Sequence, residues 1–189
     1  YYDGSNYNIN SVIYEYSAIT DRFEELQSIP TKGALGWEAI LIGDRAFLAV
    51  ANYHDARNYN TNSVIYEYSA STNRFEELQS IPTKGGCDCE SILIGDRAFL
   101  AVANYYDGSN YNINSVIYEY SASTNEFVAM QNIATKSAHA LEAFHIGDKF
   151  FLAVANYRDG SSNYNIPSVI YEYSASTNRF VAMQSIATK

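Results

Sequence analysis

A polar, tyrosine-rich segment is the part of this sequence best equipped for chemistry, and it occurs four times. Each copy reads Tyr-x-Asp and then, a few residues later, Asn-Tyr. Aromatic rings stack on the C–H face of a sugar, while Asp and Asn side chains hydrogen-bond its hydroxyls. The candidate ligand-binding residues are Tyr1, Asp3, Asn6, Tyr7, Tyr53, Asp55, Asn58, Tyr59, Tyr105, Asp107, Asn110, Tyr111, Tyr157, Asp159, Asn163 and Tyr164.

The same segment also suits a purely structural turn. Asp, Gly, Ser and Asn are typical turn residues, and Asx side chains cap their own backbone. Copies that are alike through duplication do not need a shared ligand. The sequence therefore leaves two interpretations open, a repeated glycan site and a repeated turn.

Two further sets of carboxylates recur. Asp44, Asp96 and Asp148 each follow a Gly between apolar runs, where they fit either a calcium site or an ordinary hairpin turn. Glu38, Glu90 and Glu142 also recur at one repeat position. If they converge, they are expected to raise each other's pKa or recruit a cation. We expect no cofactor, with calcium as the alternative.

The remaining reactive residues do not form a catalytic set. His54, His139 and His145 fall at unmatched places in the repeat. Cys87 and Cys89 are separated by one residue, and a disulfide ring that short is strained. The sequence contains no nucleophile–base–acid arrangement, phosphate loop or zinc spacing. It therefore predicts a protein that is not an enzyme.

Charge and hydropathy exclude two classes of partner. The formal net charge is −9, which argues against nucleic acid and anionic membranes, because both attract basic surfaces. The longest apolar run, near 46–51, is too short to span a bilayer. We therefore expect no nucleic-acid binding and no membrane insertion.

An internal repeat indicates the strands that carry the candidate residues. Residues 1–52, 53–104 and 105–156 align without a gap, and a fourth copy begins at Tyr157 with one inserted Ser. Each period predicts four short strands. One complete set, which begins at the end of the first copy, covers Glu38–Ile42, Arg45–Ala51, Ser63–Ser69 and Arg74–Ile81. The second strand is apolar on both faces and the fourth is polar, as expected for inner and outer strands.

This pattern predicts an all-β fold, a β-propeller built of four-stranded antiparallel blades. A solenoid or a β-sandwich is the competing architecture. The predicted units are a half-blade at 1–32 (third and fourth strands only) and full blades at 33–84, 85–136 and 137–189. The loop at 53–62 is expected to share one face with the link at 82–85.

Three and a half blades leave apolar blade faces in water. The sequence therefore predicts that the chain forms a homo-oligomer or is part of a longer chain. It opens at Tyr1 rather than Met, which favours a processed product or a piece of something longer.

Several motifs resemble the EAR (epitempin, EPTP) repeat of the leucine-rich glioma-inactivated proteins. They are Phe-Leu-Ala-Val-Ala-Asn-Tyr-x-Asp-Gly-Ser, Ser-Val-Ile-Tyr, Gln-x-Ile-x-Thr and Glu-x-x-x-Ile-Gly-Asp. The resemblance implies a seven-bladed propeller, an extracellular location and protein–protein or adhesive recognition. The family favours Asp-Trp-Glu before the first strand, whereas only the Glu is present in all three copies here. The equivalents are Gly36-Trp37-Glu38, Asp88-Cys89-Glu90 and Ala140-Leu141-Glu142.

Two functions follow from these observations. Near-identical copies favour a lectin-like module that binds glycans multivalently through its repeated loops. The family resemblance favours the alternative, a propeller that binds a cell-surface protein. We expect the first and keep the second as the alternative.

Overall fold

The computed structural model describes residues 3–4, 6–160 and 162–188, and this part of the chain is all β. Its fourteen strands form one two-stranded and three four-stranded antiparallel sheets. This confirms the predicted propeller blades, three complete and one half. None of the described residues belongs to a helix that could cross a membrane. The candidate residue Tyr1 lies outside the described residues.

Each sheet keeps its strands in chain order. The half-blade contains β1 (Asn10–Ser17) and β2 (Arg22–Pro30). The first blade contains β3 (Ala34–Ile42), β4 (Arg45–Asn52), β5 (Asn62–Ser69) and β6 (Arg74–Pro82). The second blade contains β7 (Gly86–Ile94), β8 (Arg97–Asn104), β9 (Asn114–Ser121) and β10 (Glu126–Ala134). The third blade contains β11 (Ala138–Ile146), β12 (Lys149–Asn156), β13 (Ser168–Ser174) and β14 (Arg179–Ile186).

The first strand of each blade is longer than the sequence predicts. β3 begins at Ala34 rather than Glu38 and pairs there with Asn52. A register shift between Ala34 and Gly36 absorbs one extra residue. Such a bulge interrupts the apolar alternation by which strands are recognised, so the sequence pattern does not show where β3 begins.

The core lies between neighbouring sheets. β8 is apolar on both faces because its side chains alternate between two neighbours. Phe99 and Ala101 pack in a cluster with residues of the third blade, whereas Leu100 and Val102 pack with residues of the first. The fourth strand of a blade, such as β6, is mostly exposed or half-buried. Burial is therefore greatest in the second strand and decreases to the fourth, as predicted, while the first strand is less buried than the second.

A glutamine on the outer strand of the half-blade and of the first two blades ties that unit to the next blade. The Gln79 carboxamide donates to the backbone oxygen of Phe127 at 3.0 Å and accepts from its backbone N–H at 2.8 Å. The same pair of bonds joins Gln27 to Phe75 and Gln131 to Phe180. These contacts fix the position of each blade on its neighbour and so align the loops.

Candidate functional site

The predicted site residues lie on four loops at one end of the blades. Loop II (residues 53–61) joins β4 to β5, loop III (105–113) joins β8 to β9, and loop IV (157–167) joins β12 to β13, while loop I (3–9) precedes β1. The loops contact the links between blades, as predicted. Gly85 donates its N–H to the oxygen of Tyr59 at 2.6 Å, and Tyr105 donates to that of Lys84 at 3.0 Å.

A buried polar network holds the base of each loop. The Asn104 carboxamide accepts from the backbone N–H of Lys84 at 2.8 Å and donates to the oxygen of Asn114 at 2.8 Å. Ser115 accepts from the Asn104 backbone N–H and shares a hydrogen bond with Thr135. Sequence reasoning missed these residues, although their recurrence beside buried strands at every repeat was the available signal.

The aspartates of the loops stabilise the turns in which they lie. Asp107 Oδ1 accepts from the backbone N–H groups of Ser109 and Asn110 at 2.9 and 2.7 Å. The first of these bonds and then the second lower the pKa of Asp107 below its ordinary value. Asp3 Oδ1 likewise accepts from the N–H of Asn6, and Asp55 Oδ1 from that of Asn58. One carboxylate oxygen of each of these residues is therefore used by the fold.

Asp159 and Asn163 differ from the other copies, because loop IV carries the inserted Ser. Asn163 donates its side-chain N–H to Asp159 Oδ1 at 2.8 Å, and Lys136 Nζ lies 2.9 Å from Oδ2. The Lys136 ammonium is the main cause of the lowered pKa of Asp159. The Asn163 carboxamide also accepts from the backbone N–H of Asn165 at 3.3 Å, as the carboxamides of Asn6 and Asn110 do from the N–H two residues on.

Neighbouring loops are joined by asparagine side chains. The Nδ2 groups of Asn8, Asn60 and Asn112 donate to the backbone oxygens of Asp55, Asp107 and Asp159 at 3.2, 3.2 and 3.1 Å. Each bond therefore reaches from one loop to the Asp of the next. The four loops form one continuous surface, which we call the loop face.

The tyrosines of the loop face pack against one another. Tyr53 meets Tyr59 and Tyr105 edge-on, with ring centroids 5.2 and 5.9 Å apart. Tyr111 stacks on Tyr106 at 4.3 Å, and Tyr164 lies edge-on to Tyr157 at 5.2 Å. The structure thus brings the predicted tyrosines together, but part of each ring surface is used in contacts with another tyrosine.

One position on the loop face varies between copies, and in loops II, III and IV it packs on the preceding loop. His54 lies 4.6 Å from the Tyr7 ring, and Tyr106 lies 4.8 Å from the Tyr59 ring. Arg158 takes the same place in loop IV, with its guanidinium carbon 3.8 Å from the centre of the Tyr111 ring. A neutral aromatic, an imidazole and a cation therefore occupy equivalent sites.

The recurring glutamates lie on the innermost strands, and two of them, Glu38 and Glu90, bond to the next blade. Glu38 Oε1 accepts from the backbone N–H and the hydroxyl of Ser91 at 3.1 and 2.5 Å. Glu90 Oε1 accepts from the Ala143 backbone N–H at 2.9 Å. Burial, then the charges of neighbouring carboxylates with Glu38 foremost, raises the pKa of Glu90 to about 7.

The hairpin aspartates Asp44, Asp96 and Asp148 lie exposed in separate turns. Over residues 3–4, 6–160 and 162–188, no three His, Cys, Asp or Glu side chains are grouped so that they could hold a metal ion. Calcium binding stays a prediction. The thiols of Cys87 and Cys89 are free and buried, and burial raises the pKa of Cys87 to about 12.

Two equivalent grooves, which sequence reasoning missed, lie beside the loop face where blades meet. Groove A lies between the first and second blades and has a volume of about 570 Å³. Groove B lies between the half-blade and the first blade and has a volume of about 610 Å³. Both are lined mainly by asparagines and by the Pro-Thr-Lys link, and the repeated Asn residues of the sequence were the signal for them.

Comparison with known proteins finds similarity along most of the chain. The EPTP domain model matches residues 22–69, 74–121 and 126–174. Each matched segment starts at an outermost strand and runs into the next blade, so the sequence unit is offset from the structural blade.

Two relatives illustrate the similarity. The human "Thrombospondin-type laminin G domain and EAR repeat-containing protein" is 40% identical over 84% of this chain and 23% of its own length. The human "Leucine-rich repeat LGI family member 2" is 29% identical over 50% of this chain and 17% of its own length. The chain therefore spans less than a quarter of the length of these relatives. The matched repeats and the strand order of the blades together show that this chain belongs to the EPTP domain family.

Proposed function

We propose that this chain is a non-catalytic, extracellular recognition module that binds a protein partner across its loop face. The observation that carries the proposal is the continuity of that face. Asparagine side chains join each loop to the next at 3.1 to 3.2 Å, so the loops present one large surface instead of separate sites. A pre-organised surface loses little conformational entropy on binding.

The chemistry of the loop face supports a single protein partner better than repeated glycan sites. His54, Tyr106 and Arg158 occupy equivalent positions but differ in charge and hydrogen bonding. Copies that serve the same sugar have no reason to differ at a position between two of the predicted ligand residues, and this position lies between the Tyr and the Asp of each loop. A single protein epitope, by contrast, meets each blade with a different group.

The glycan interpretation has less support from the same contacts. Asp107 uses Oδ1 to hold its own turn, and Tyr111 has one ring face covered by Tyr106. These are the groups that a sugar would need. Multivalent carbohydrate binding is therefore the competing outcome in the test.

The test uses the 189-residue chain as bait against a panel of secreted proteins and cell-surface ectodomains, with a glycan array in parallel. The variants are His54→Ala, Tyr106→Ala and Arg158→Ala, made one at a time. Asp96→Ala is the control, because Asp96 is exposed in the hairpin at the opposite end of the second blade.

For a protein partner, we expect one of the three variants to weaken binding about thirtyfold and the others much less, since binding energy concentrates in a few residues. Three equal and partial losses, seen on a glycan and on no ectodomain, would contradict the proposal.

A further inference from the structure

We propose that groove A binds an extended peptide segment by hydrogen bonds to its main chain. The proposal rests on the proposed protein-recognition function and specifies which part of the partner is bound, namely a peptide main chain. Groove A has a volume of about 570 Å³ and seven asparagines among its lining residues. That volume falls in the range of about 300–1,000 Å³ that is typical of ligand sites.

Some of these asparagines are used by the fold. The Asn104 carboxamide holds the base of loop III, and that of Asn110 closes a ring within the loop. Asn60 and Asn112 donate to the next loop through Nδ2. Within the described residues, the Oδ1 atoms of Asn60 and Asn112 accept no hydrogen bond from the protein.

Two asparagines on the far wall of groove A have side-chain donors and acceptors that no other described residue uses. The side chains of Asn114 and Asn132 form no hydrogen bond with other parts of the chain that the structure describes. Both residues are exposed and line the groove. They come from adjacent positions on β9 and β10, because Asn132 pairs with Val116 and Ala134 pairs with Asn114. Their carboxamides therefore stand side by side on one wall.

A row of carboxamides is complementary to a peptide main chain. Each carboxamide offers donors and an acceptor in one plane, which matches the N–H and C=O groups of a peptide unit. Main-chain hydrogen bonds of this kind give affinity in known modes of peptide recognition. Groove A is also nearly neutral, since Lys84 Nζ lies 3.9 Å from Asp107 Oδ2. A neutral, amide-lined groove suits an uncharged backbone.

A sugar fits groove A less well. None of the described residues that line it is aromatic, so it offers no ring on which a pyranose could stack. The tyrosine rings of loop III contact one another on the loop face. The lining chemistry therefore favours peptide over carbohydrate.

In groove B the polar side chains of the equivalent wall are hydrogen-bonded to each other. The residues equivalent to Asn114 and Asn132 are Asn62 and Ser80, and Asn62 Nδ2 donates to the Ser80 hydroxyl at 3.0 Å. Asn10 and Ser28 make the same bond in the half-blade. Groove B also contains the carboxylate of Glu77, where the second blade has Ala129. The exchange of Ser for Asn at position 132 is thus what leaves two amides free.

The experiment selects random short peptides displayed on phage against the intact 189-residue chain. Enriched peptides are then synthesised, and calorimetry measures their affinity for the wild type, Asn132→Ser and Ser80→Asn. Asn132→Ser is expected to fold, because Ser occupies the equivalent positions 28 and 80. We expect it to weaken binding about tenfold, since it removes one carboxamide and ties up Asn114. N-methylation of the central peptide bonds is expected to weaken binding further.

Each outcome decides the proposal. Equal affinity for the wild type and Asn132→Ser, or no effect of N-methylation, overturns it. So does a selection that enriches no peptide, or a glycan that binds and is lost in Asn132→Ser. If an ectodomain binds the loop face and is unaffected by Asn132→Ser, groove A is not the site, while protein recognition stands. If no ectodomain binds, the proposed function fails independently of the peptide result.

Discussion

Glu90 is the carboxylate whose surroundings change its proton affinity most clearly. Burial, with help from the nearby charges of Glu38, Glu142 and Asp88, raises its pKa from 4.5 to about 7, against the opposing bond from Ala143. Between these two values the folded chain holds a proton that the unfolded chain releases. Stability is therefore fully present below the lower value and is lost as pH rises through the upper one.

Replacement of Glu90 by Gln tests this. Glutamine keeps the oxygen that accepts from Ala143 but cannot ionise, so the variant is expected to be more stable than the wild type at pH 8 and equal to it near pH 4. We expect a gain of about 1–2 kcal/mol after allowance for solvent screening. Urea unfolding at both pH values measures it. Asp44→Asn, at an exposed hairpin position, is the control, and an equal gain there would contradict the assignment.

Ala56 tests the turn chemistry of the loops. It has φ 71°, whereas the equivalent Gly108 has φ 98°. A left-handed backbone costs an L-residue about 1 kcal/mol relative to glycine. Ala56→Gly is therefore expected to stabilise the chain by about this amount in thermal or urea unfolding.

The reciprocal change is the control. Gly108→Ala is expected to destabilise the chain by a similar amount, because a Cβ there meets no atom within 4 Å and only the backbone is strained. If neither variant moves the unfolding midpoint, the loop conformation is not under strain.

The sequence identifies the Tyr, Asp and Asn side chains of the loops but not the contacts that these side chains make. The Tyr, Asp and Asn pattern correctly placed the candidates on one face, and turn chemistry was one of the two interpretations left open. The asparagine bridges, such as that from Asn60 to Asp107, join residues in different copies. A contact between copies depends on how blades pack, which a pattern within one copy does not contain.

The outer strands illustrate how elements are held together. Gln79 makes two hydrogen bonds to the backbone of Phe127, a residue only 1% exposed. Gln79→Ala leaves a buried N–H and a buried C=O without partners and is expected to cost about 2–3 kcal/mol. Chemical denaturation measures this cost.

The matched control is Gln184→Ala, the same repeat position in the third blade. Gln184 is exposed, and its carboxamide forms no hydrogen bond with the described residues. Its loss is expected to change the free energy of unfolding by less than about 0.5 kcal/mol. Equal effects of the two variants would show that the bonds of Gln79 contribute nothing to blade packing.

At the element scale, strand type and order followed from the sequence because apolar alternation and the Gly-Asp turns recur in every copy. The boundary at Ala34 did not, since a bulge breaks the alternation there. The sequence pattern identifies Gln79 and its equivalents only as polar residues of an outer strand. Their role depends on the backbone of a blade 48 residues away.

At the scale of the whole molecule, the two outermost sheets present complementary surfaces. Phe23 of the half-blade is 72% exposed, while the equivalent Phe127 and Phe180 are 1% and 2% exposed because a preceding blade covers them. The third blade exposes Met183 by 58%, next to Gln184, whereas the equivalent Met130 packs against the cluster between the second and third blades. A second copy could therefore place its Gln184 on Phe23 and reproduce the contact that Gln79 makes with Phe127. Such a contact is head-to-tail.

This complementarity predicts that the chain self-associates. Sedimentation of the wild type is expected to show an average mass that rises with concentration, since each contact buries apolar surface that is otherwise in water. Phe23→Asp introduces a charge at the centre of that contact and is expected to weaken association at least tenfold. Ile19→Asp, at a turn residue that is 97% exposed, adds the same charge away from the sheet and is expected to leave association unchanged. A wild-type chain that stays monomeric at every concentration would rule out the contact, because the exposed sheets would then not attract each other. An Ile19→Asp variant that dissociates as readily as Phe23→Asp would also rule it out, because net charge alone would then control association.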